Sequence, residues 1–483
     1  MRRVAYRKNA VKVALLYPSA YAVAMSSVVF HMLYFKLQDE GFYVERFTAD
    51  RGPHGIEDGT PLAHFDYIVA AIHYELDYVN LVKMLIEAKI PPRARERERP
   101  KLVIGGPPVT ANPEPLAEFV DAVAIGELEP LWKPLVQYLS TGEETEELYY
   151  PAYGPRPIKI AYATDAVSDY RRIPEPEAAF SLSVELARGC PYACLFCMES
   201  YISKPYRPRD WRVVLQETEE LYKKYGIRPS IVALTANAHP HFKTMLREAV
   251  NKGVPISLPS LRAELLDDEM LELIAAGGQK TLTIAPESSE RLRKALGKDI
   301  SNKDILRVVD KAAELGLKIK MYLMAGLPCE EEGDIEELIN LIKEVGRMGV
   351  RLSLSVNPFI PKPQTPFQYS AMENIKRLRD KIKRLQRASR GEFTYYEPTL
   401  GAIQAGIALG GREIAKYIEE AAMAASPQGY LRRLLKRGVF NYVFSPRDDP
   451  LPWGHIEGFY SHSELKRRYL EYLETACGKS QPD

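Results

Sequence analysis

The sequence has little cysteine, five residues in 483, and this scarcity excludes a fold held together by a framework of disulfide bonds. No stretch approaches the roughly 18 uninterrupted apolar residues of a membrane-spanning helix, and no apolar signal segment follows MRRVAYRKNA. An excess of one charge is also missing: 65 Lys and Arg against 64 Asp and Glu argue against wholesale nucleic-acid coating. We therefore expect a cytoplasmic protein without stable membrane insertion, and leave local contact with nucleic acid open.

The N-terminal part of the chain alternates short β-branched apolar runs with amphipathic segments. The runs are VKVALL, FYVERFTAD, YIVAAI, KLVIGG and DAVAIGE. Strands that alternate with helices are typical of a parallel, doubly wound sheet, whose ligand crevice lies beyond the carboxyl ends of the strands. We predict a Rossmann-like α/β domain over residues 1–140. Residues 141–180 are rich in Pro, Gly, Tyr and Glu, and are predicted to be a linker.

A second alternating series begins at Ser181. SLSVELA, SIVALTA, ISLPSL, KTLTIA, KIKMYLMAG and RLSLSVNPF are six predicted strands with helical patterns between them. We expect residues 181–370 to form this second α/β domain. Residues 371–483 are predicted to be a small, mainly helical C-terminal domain. It begins with IKRLRDKIKRLQRASR, whose apolar residues form one stripe; a packed helix with a solvated basic face is preferred to a phosphate or lipid contact.

Three of the cysteines lie on one short stretch, ELARGCPYACLFCMES. Cys190, Cys194 and Cys197 have the spacing C-x3-C-x2-C. Three thiolates can hold three irons of a [4Fe–4S] cluster and leave the fourth iron open to a small molecule. The alternatives are a zinc site and a group of buried thiols, but zinc usually takes four ligands in facing pairs, and neither Cys329 nor Cys477 belongs to a second C-x2-C pair.

This stretch resembles the radical SAM superfamily, and the resemblance extends along residues 181–370. It implies a (β/α)6 partial TIM barrel in which S-adenosylmethionine (SAM) binds the open iron. Phe196 matches the aromatic that the family places beside adenine. Further SAM-binding positions implied by the resemblance, on loops after the second to fifth strands, are Asn237, Ser260, Arg262, Glu287, Ser288, Arg291 or Arg293, Gly326 and Pro328. Cys329 replaces the family's usual glycine after Pro328, and we expect a small buried residue there rather than a ligand.

The stretch GGPPVTANPEPLAEFVDAVAIGELEPLW resembles the cobalamin-binding domain that precedes many radical SAM cores, and the whole chain resembles B12-type radical SAM proteins. Gly105, Gly106 and Gly126 are the implied cobalamin-binding positions, since glycine lets backbone approach a bulky ligand. The family's cobalt-binding D-x-H-x-x-G is replaced by PSAYAVAMSS. We therefore leave open whether cobalamin binds or the domain only shapes the substrate pocket.

The resemblance implies one-electron cleavage of SAM, with electrons from a low-potential donor such as ferredoxin or flavodoxin, to give a 5′-deoxyadenosyl radical. With cobalamin the expected outcome is methylation of a carbon, a transferase reaction. The alternatives are a cobalamin-independent enzyme that forms a bond or rearranges carbon in a lipid, modified RNA or peptide, and a non-catalytic zinc or iron–sulfur module. Methylthiolation is disfavoured because residues 1–180 hold no cysteine for a second cluster. The sequence identifies neither the substrate nor the residues of proton or radical transfer.

Overall fold

A computed structural model of the protein describes residues 10–165, 177 and 182–478. Most of the second half of the predicted linker, and Ser181 at the start of the predicted barrel, lie outside the described residues. The strands are β1 Lys12–Tyr17, β2 Tyr43–Thr48, β3 Tyr67–Ala71, β4 Lys101–Gly105, β5 Ala122–Ala124, β6 Ile158–Lys159, β7 Ser183–Glu185, β8 Ala187–Arg188, β9 Arg207–Pro208, β10 Ser230–Val232, β11 Thr281–Glu287, β12 Lys318–Ala325, β13 Leu352–Pro358, β14 Glu392–Tyr395 and β15 Ile456–Glu457.

The α-helices share the amphipathic or buried patterns expected from the sequence. They are α1 Tyr21–Met25, α2 Val28–Asp39, α3 Asp77–Glu87, α4 Pro107–Ala111, α5 Leu128–Thr141, α6 Met198–Ile202, α7 Trp211–Tyr225, α8 Phe242–Asn251, α9 Asp268–Ala276, α10 Glu290–Ala295, α11 Asn302–Glu314, α12 Glu332–Val345, α13 Ile375–Ala388, α14 Pro398–Leu409, α15 Ala415–Met423, α16 Pro427–Lys436 and α17 His462–Cys477. No helix of the described ranges is long and apolar enough to span a bilayer.

The chain divides into two compact units. The first comprises residues 1–181, 406–439 and 449–461, and the second comprises residues 182–405, 440–448 and 462–483. The segment 371–483, predicted as one C-terminal domain, is mainly helical but is shared between these units. Its helices α15 and α16 belong to the first unit, whereas α13 and α17 belong to the second.

The first unit contains a five-stranded parallel sheet in the order β2-β1-β3-β4-β5. Strand β1 is buried along almost its whole length, because a parallel sheet covered by helices on both faces has no solvent side. Its core includes Val13, Leu15, Phe30, Leu33 and Val103. The predicted doubly wound sheet is confirmed, and the strand order places the topological switch between β1 and β3.

The second unit is the predicted partial barrel, a curved series of parallel strands that begins with β7 and β10 and continues through β11, β12 and β13. The third predicted strand, ISLPSL, is reduced to two isolated parallel bridges, Ser230 with Ser257 and Leu261 with Ile284. Proline cannot donate to a strand ladder, and Pro259 interrupts this segment. A strand that the sequence analysis missed, β14, pairs in parallel with β13.

Side chains alternate along β11 and β12 between fully and partly buried positions. Leu282, Ile284 and Leu323 are fully buried, whereas the intervening residues form a more polar, half-buried face. Because all the barrel strands run parallel, their carboxyl-terminal loops lie at one edge. That edge receives the cysteine stretch and the predicted SAM-binding positions.

Candidate functional site

The cysteine stretch follows β8 and ends at α6, and a glycine starts its turn. Gly189 has φ +72°, and a Cβ there would lie 2.5 Å from the carbonyl oxygen of Ser203, so a larger residue does not fit. Lys204 Nζ donates to the carbonyl of Cys190 at 2.5 Å, and Cys197 N–H donates to the carbonyl of Cys194 at 3.0 Å. Backbone contacts thus fix the loop that carries the thiols.

The three cysteines of this loop are free thiols. Cys190 and Cys194 are buried, with Cys190 Sγ 3.4 Å from Thr235 Oγ1 and Cys194 Sγ 4.0 Å from the carbonyl of Gly297. Burial raises the pKa of the Cys194 thiol and raises that of Cys197 to about 12. Iron binds thiolates, so loading a cluster would release these protons.

This donor set is the one an iron–sulfur cluster uses, since clusters are held by cysteine thiolates. Within the described residues, no three His, Cys, Asp or Glu side chains converge closely enough to hold a single metal ion. The irons of a four-iron cluster lie apart, so its thiolates need not converge on one point as the ligands of one zinc ion do. The thiols therefore fit a cluster by their chemistry and by their position on one loop.

Two cations affect the pKa of the Cys194 thiol. Burial has the largest effect and raises this pKa, whereas Lys298 and Arg262 lower it. Arg262 also lies over the ring of Tyr192, with 3.8 Å between its Cζ and the ring centroid. The structure therefore brings the cysteine loop after β8, the loop after the third predicted strand and the turn after α10 together around Cys194.

Asn237, a predicted SAM-binding residue, is bonded to the backbone of Arg262. Its Nδ2 donates to the Arg262 carbonyl at 2.8 Å, and its Oδ1 accepts from the Arg262 N–H at 3.1 Å. These two bonds join the loops that follow the second and third predicted strands. Ser260 and Phe196 are partly buried on their loops. Binding of SAM by these residues stays a prediction.

Glu287 ends β11 in an irregular conformation. The register between β11 and β12 shifts between Ile284 and Glu287, and Glu287 has φ +63°, which is uncommon for a residue with a Cβ. Its carboxylate accepts a hydrogen bond from Lys298 Nζ at 2.8 Å. A bulge that redirects a side chain at a strand end is typical of functional sites.

The two serines after Glu287 have different environments. Ser289 is the N-cap of α10 and accepts from Leu292 N–H at 3.4 Å, while its own hydroxyl donates to Asp334 Oδ1 at 2.5 Å. The Oγ of Ser288 is fully buried and has no hydrogen-bond partner among the described residues. Buried hydroxyls normally have a hydrogen-bond partner, so the Ser288 Oγ beside Glu287 is an exception among these residues. Binding of SAM by Glu287 and Ser288 stays a prediction.

The predicted arginines are both engaged within the protein. Arg291 pairs with Asp334 through Nε at 3.2 Å and Nη2 at 2.5 Å. The guanidinium of Arg293 is fully buried and donates to the carbonyls of Ile300 and Ser288 and to Asn302 Oδ1. The sequence analysis missed Lys298, the cation that contacts Glu287. Its signal was the LGK that follows α10, a basic residue after a turn glycine.

The loop after β12 carries Gly326 and Pro328. Gly326 has φ +84°, and a Cβ there would lie 2.4 Å from a Leu378 methyl carbon. Its N–H donates to Glu330 Oε2 at 2.8 Å, and Lys381 Nζ donates to the same oxygen at 2.6 Å. Burial raises the pKa of Glu330, and this lysine opposes the shift. The loop backbone is thus held from inside, and binding of SAM by Gly326 and Pro328 stays a prediction.

Cys329 is partly exposed and forms a disulfide bond with Cys477 across 148 residues of sequence, so the expectation of a small buried residue is wrong. That Cys329 is not a ligand stays a prediction. Cys329 has φ +62°, in the left-handed region that favours glycine. Helix α17 is held on the same loop by Tyr472, whose hydroxyl donates to the Pro328 carbonyl at 2.6 Å, and by Arg291, which donates to the Ala476 carbonyl at 2.6 Å. The described residues thus contain one disulfide, which the sequence analysis did not anticipate and which does not amount to a framework of such bonds.

In the first unit, the predicted glycines contact their own chain. A Cβ on Gly106 would lie 1.9 Å from the Ile72 carbonyl oxygen, and one on Gly126 would lie 2.3 Å from that of Ala161. A Cβ on Gly105 would make only ordinary contacts. Backbone packing therefore accounts for Gly106 and Gly126, and the role of all three in holding cobalamin stays a prediction.

The switch point of this sheet carries two rings. The ring of Tyr17, at the end of β1, stacks on that of His73, just after β3, with centroids 5.1 Å apart and planes at 18°. Asn80 donates to the Pro18 carbonyl at 3.0 Å and fixes the turn after β1. These groups line the edge where doubly wound sheets bind their ligands.

A barrel edge with three free cysteines, beside a glutamate–lysine pair, is the arrangement of a radical SAM core, and the family comparisons agree. Residues 184–342 match the radical SAM superfamily, and residues 30–149 match the N-terminal region of radical SAM proteins. The chain belongs to the radical SAM superfamily and is a radical SAM enzyme.

Its relatives include an uncharacterized protein of Methanocaldococcus jannaschii, 30% identical over 92% of this chain and 98% of that protein. An uncharacterized methyltransferase of Pyrococcus horikoshii is 28% identical over 50% of this chain and 58% of its own length. The bacteriochlorophyllide d C-8(2)-methyltransferase of Chlorobaculum tepidum is 26% identical over 56% of this chain and 64% of its own. The chain therefore spans less than two thirds of these two methyltransferases.

Solved structures share the fold. The radical SAM methyltransferase TsrM of Kitasatospora setae, solved with cobalamin and a [4Fe–4S] cluster, matches with a TM-score of 0.59 at 14% identity, over 89% of this chain and all (100%) of that one. The cobalamin-dependent SAM radical enzyme OxsB, solved with aqua-cobalamin, matches with a TM-score of 0.52 at 13% identity, over 97% of this chain and 80% of that one. At these identities the likeness concerns the fold alone.

Proposed function

We propose that this radical SAM enzyme cleaves SAM reductively and uses the resulting 5′-deoxyadenosyl radical chemistry, together with cobalamin, to methylate a carbon of its substrate. The observation that carries the proposal is the convergence at one barrel edge of three free thiols, the Glu287–Lys298 pair and the unpaired hydroxyl of Ser288. When bound, the cluster and SAM supply the electron transfer and the radical.

The protein's own residues position and shield the cofactors. Cys190, Cys194 and Cys197 would hold three irons. Glu287 and Ser288 would accept and donate hydrogen bonds at the ribose, with Lys298 orienting the carboxylate through its hydrogen bond. The partial burial of Glu287 and Lys298 keeps water from weakening their interaction.

Two sets of basic residues in this unit are candidates to pair with the SAM carboxylate. The sequence favours Arg291 or Arg293, but their guanidinium groups are occupied by Asp334 and by backbone carbonyls. Lys298 is the cation that lies beside both Glu287 and Cys194. We propose that Lys298 interacts with bound SAM, and that Arg291 holds α17 on the loop after β12.

Cobalamin is supported by the first unit. Its strand order β2-β1-β3-β4-β5 creates a crevice at the switch point, lined by Tyr17 and His73. The likeness to TsrM and OxsB, both solved with cobalamin, points the same way. The second candidate is a radical SAM enzyme without cobalamin. It is favoured by the close packing of Gly106 and Gly126 against their own chain, which explains these two glycines without a ligand.

Electrons for the cluster would come from a low-potential donor of the ferredoxin or flavodoxin class, as the family's chemistry requires. The deciding experiment purifies the protein anaerobically and reconstitutes it with iron and sulfide. We expect about four irons per chain, loss of iron when the three loop cysteines are replaced by Ala, and 5′-deoxyadenosine on reduction with SAM. Stoichiometric zinc without iron would overturn the proposal, and failure to retain cobalamin from a saturated solution would select the second candidate.

A further inference from the structure

Arg447, in the second unit, is held firmly by one side of its guanidinium only. Its backbone N–H donates to the carbonyl of Tyr369 at 2.9 Å. Its Nη1 donates to the carbonyls of Gln368 at 3.2 Å and Ser370 at 2.7 Å. These three bonds fix both the backbone and the plane of the guanidinium against the turn at residues 368–370.

The other side of the same guanidinium is buried and unused. Nε and Nη2 of Arg447 have no hydrogen-bond partner among the described residues. These two nitrogens form the edge with which arginine binds a carboxylate or phosphate through two parallel hydrogen bonds. The protein therefore presents a pre-oriented two-donor fork without an acceptor.

No carboxylate in the described ranges is paired with this cation; the groups whose charge would raise its pKa are Tyr442 and Tyr469, and tyrosine hydroxyls are ordinarily neutral at pH 7. Burial lowers the pKa of Arg447 to about 10, so the group keeps its charge at neutral pH. An uncompensated buried cation with unpaired donors is destabilising, and such a group in a native fold usually has an unseen water or ion as its partner.

The turn that holds Arg447 is linked in sequence to the edge of the barrel. The turn at residues 368–370 follows the proline-rich loop that leaves the carboxyl end of β13. That loop is internally braced: Gln364 N–H donates to Gln368 Oε1 at 3.0 Å, and Thr365 Oγ1 donates to the Lys362 carbonyl at 2.8 Å. The carboxyl ends of barrel strands are where substrates bind in this architecture.

We propose that the Nε and Nη2 edge of Arg447 is a binding subsite for an anionic group, a carboxylate or a phosphate, of the enzyme's substrate. The assignment to the substrate rests on the proposed function, whereas binding of the anion does not. The subsite is therefore testable in the full-length protein without SAM, reductant or turnover.

The test measures the melting temperature of the full chain with increasing inorganic phosphate and, separately, acetate, with NaCl holding the ionic strength constant. We expect one of the two anions to raise the melting temperature of the wild-type protein. Which anion does so identifies the chemical class. In Arg447→Gln the apparent affinity for that anion should fall about tenfold or more, the scale for losing a charged hydrogen-bonding partner.

Two variants make the result interpretable. Arg447→Lys keeps the positive charge but loses the paired Nε and Nη2 donors, so the anion should still raise its melting temperature, but less than in the wild type. This variant replaces Arg447→Gln in the test if Arg447→Gln does not fold. Arg377→Gln, at an exposed position on α13, should respond as the wild type does. The proposal is overturned if neither anion raises the melting temperature more than NaCl does, or if the rise in melting temperature is as large in Arg447→Gln as in the wild type. Because no step needs the cluster, failure of SAM cleavage leaves this result unaffected.

Discussion

Lys298 donates a 2.8 Å hydrogen bond to Glu287 at the end of β11, and both side chains also act electrostatically on the Cys194 thiol. Only 10% of the lysine side chain and 13% of the glutamate side chain are exposed. The pair therefore joins a strand end, the turn after α10 and the cysteine loop in one polar cluster.

Replacing either member of this pair should weaken SAM binding. Glu287→Gln and Lys298→Met are each expected to cost about 1 to 3 kcal/mol of SAM affinity, because each removes a charged hydrogen-bonding partner. The iron content of the reconstituted protein should not change. Isothermal titration with SAM, alongside iron analysis of the same samples, measures both.

Arg291→Gln is the matched variant for this comparison. Arg291 is bonded to Asp334 and to the Ala476 carbonyl, so its replacement should lower the melting temperature and leave SAM affinity unchanged. If Arg291→Gln weakens SAM binding while Lys298→Met does not, the sequence-based prediction that Arg291 or Arg293 binds the SAM carboxylate is supported and the proposal for Lys298 is wrong.

The disulfide between Cys329 and Cys477 gives a second prediction. Denatured, metal-free protein should show three reactive thiols without reductant and five after reduction. Cys329→Ser, Cys477→Ser and the double variant should be destabilised equally, by about 2 to 5 kcal/mol, since each removes the same bond. Thiol titration and denaturant unfolding test this, and five reactive thiols before reduction would refute the bond.

Periodicity and motif spacing predicted most of the fold, because buried parallel strands produce apolar runs that are visible locally. The five strands of the first sheet and the cysteine loop follow from such patterns. The bond between Cys329 and Cys477 could not be predicted, since only the fold brings together residues 148 apart. Lys298 was overlooked for a similar reason: four basic residues follow Glu287 within eleven positions, and only the side-chain packing shows which of them contacts its carboxylate.

The close packing of Gly106 against the backbone of Ile72 yields a third prediction. Gly106→Ala should destabilise the protein strongly, because its Cβ would lie 1.9 Å from the Ile72 carbonyl oxygen at a φ of +129°. Gly105→Ala is the control, since its Cβ would lie 3.5 Å from that of Ala124. Melting temperatures of the two variants measure the difference. Equal, wild-type stability with selective loss of cobalamin uptake in Gly106→Ala would restore the ligand-based explanation of this glycine.

Asp77, the first residue of α3, should make the stability of the protein depend on pH. The residue is 6% exposed, and burial, with a smaller contribution from Glu75, raises its pKa from 3.8 to about 7, against the hydrogen bond from Asn80. Between those two values the folded protein keeps a proton that the unfolded chain has lost. The free energy of unfolding contributed by this group therefore falls as pH rises from about 4 to about 7, and stays low above that range.

Asp77→Asn removes the titration while keeping the size of the side chain. We expect the variant to match the wild type near pH 4 and to exceed its stability by a few kcal/mol at pH 8, on the scale of 1.36 kcal/mol per pKa unit. Asp380→Asn, at an exposed position on α13, is the control and should show a difference from the wild type that does not vary with pH. Denaturant unfolding at pH 4.5, 6 and 8 measures these differences, in which the titration of all other groups cancels. A stability difference for Asp77→Asn that is the same at all three pH values would show that the Asp77 carboxyl ionises in the folded protein as it does in the unfolded chain.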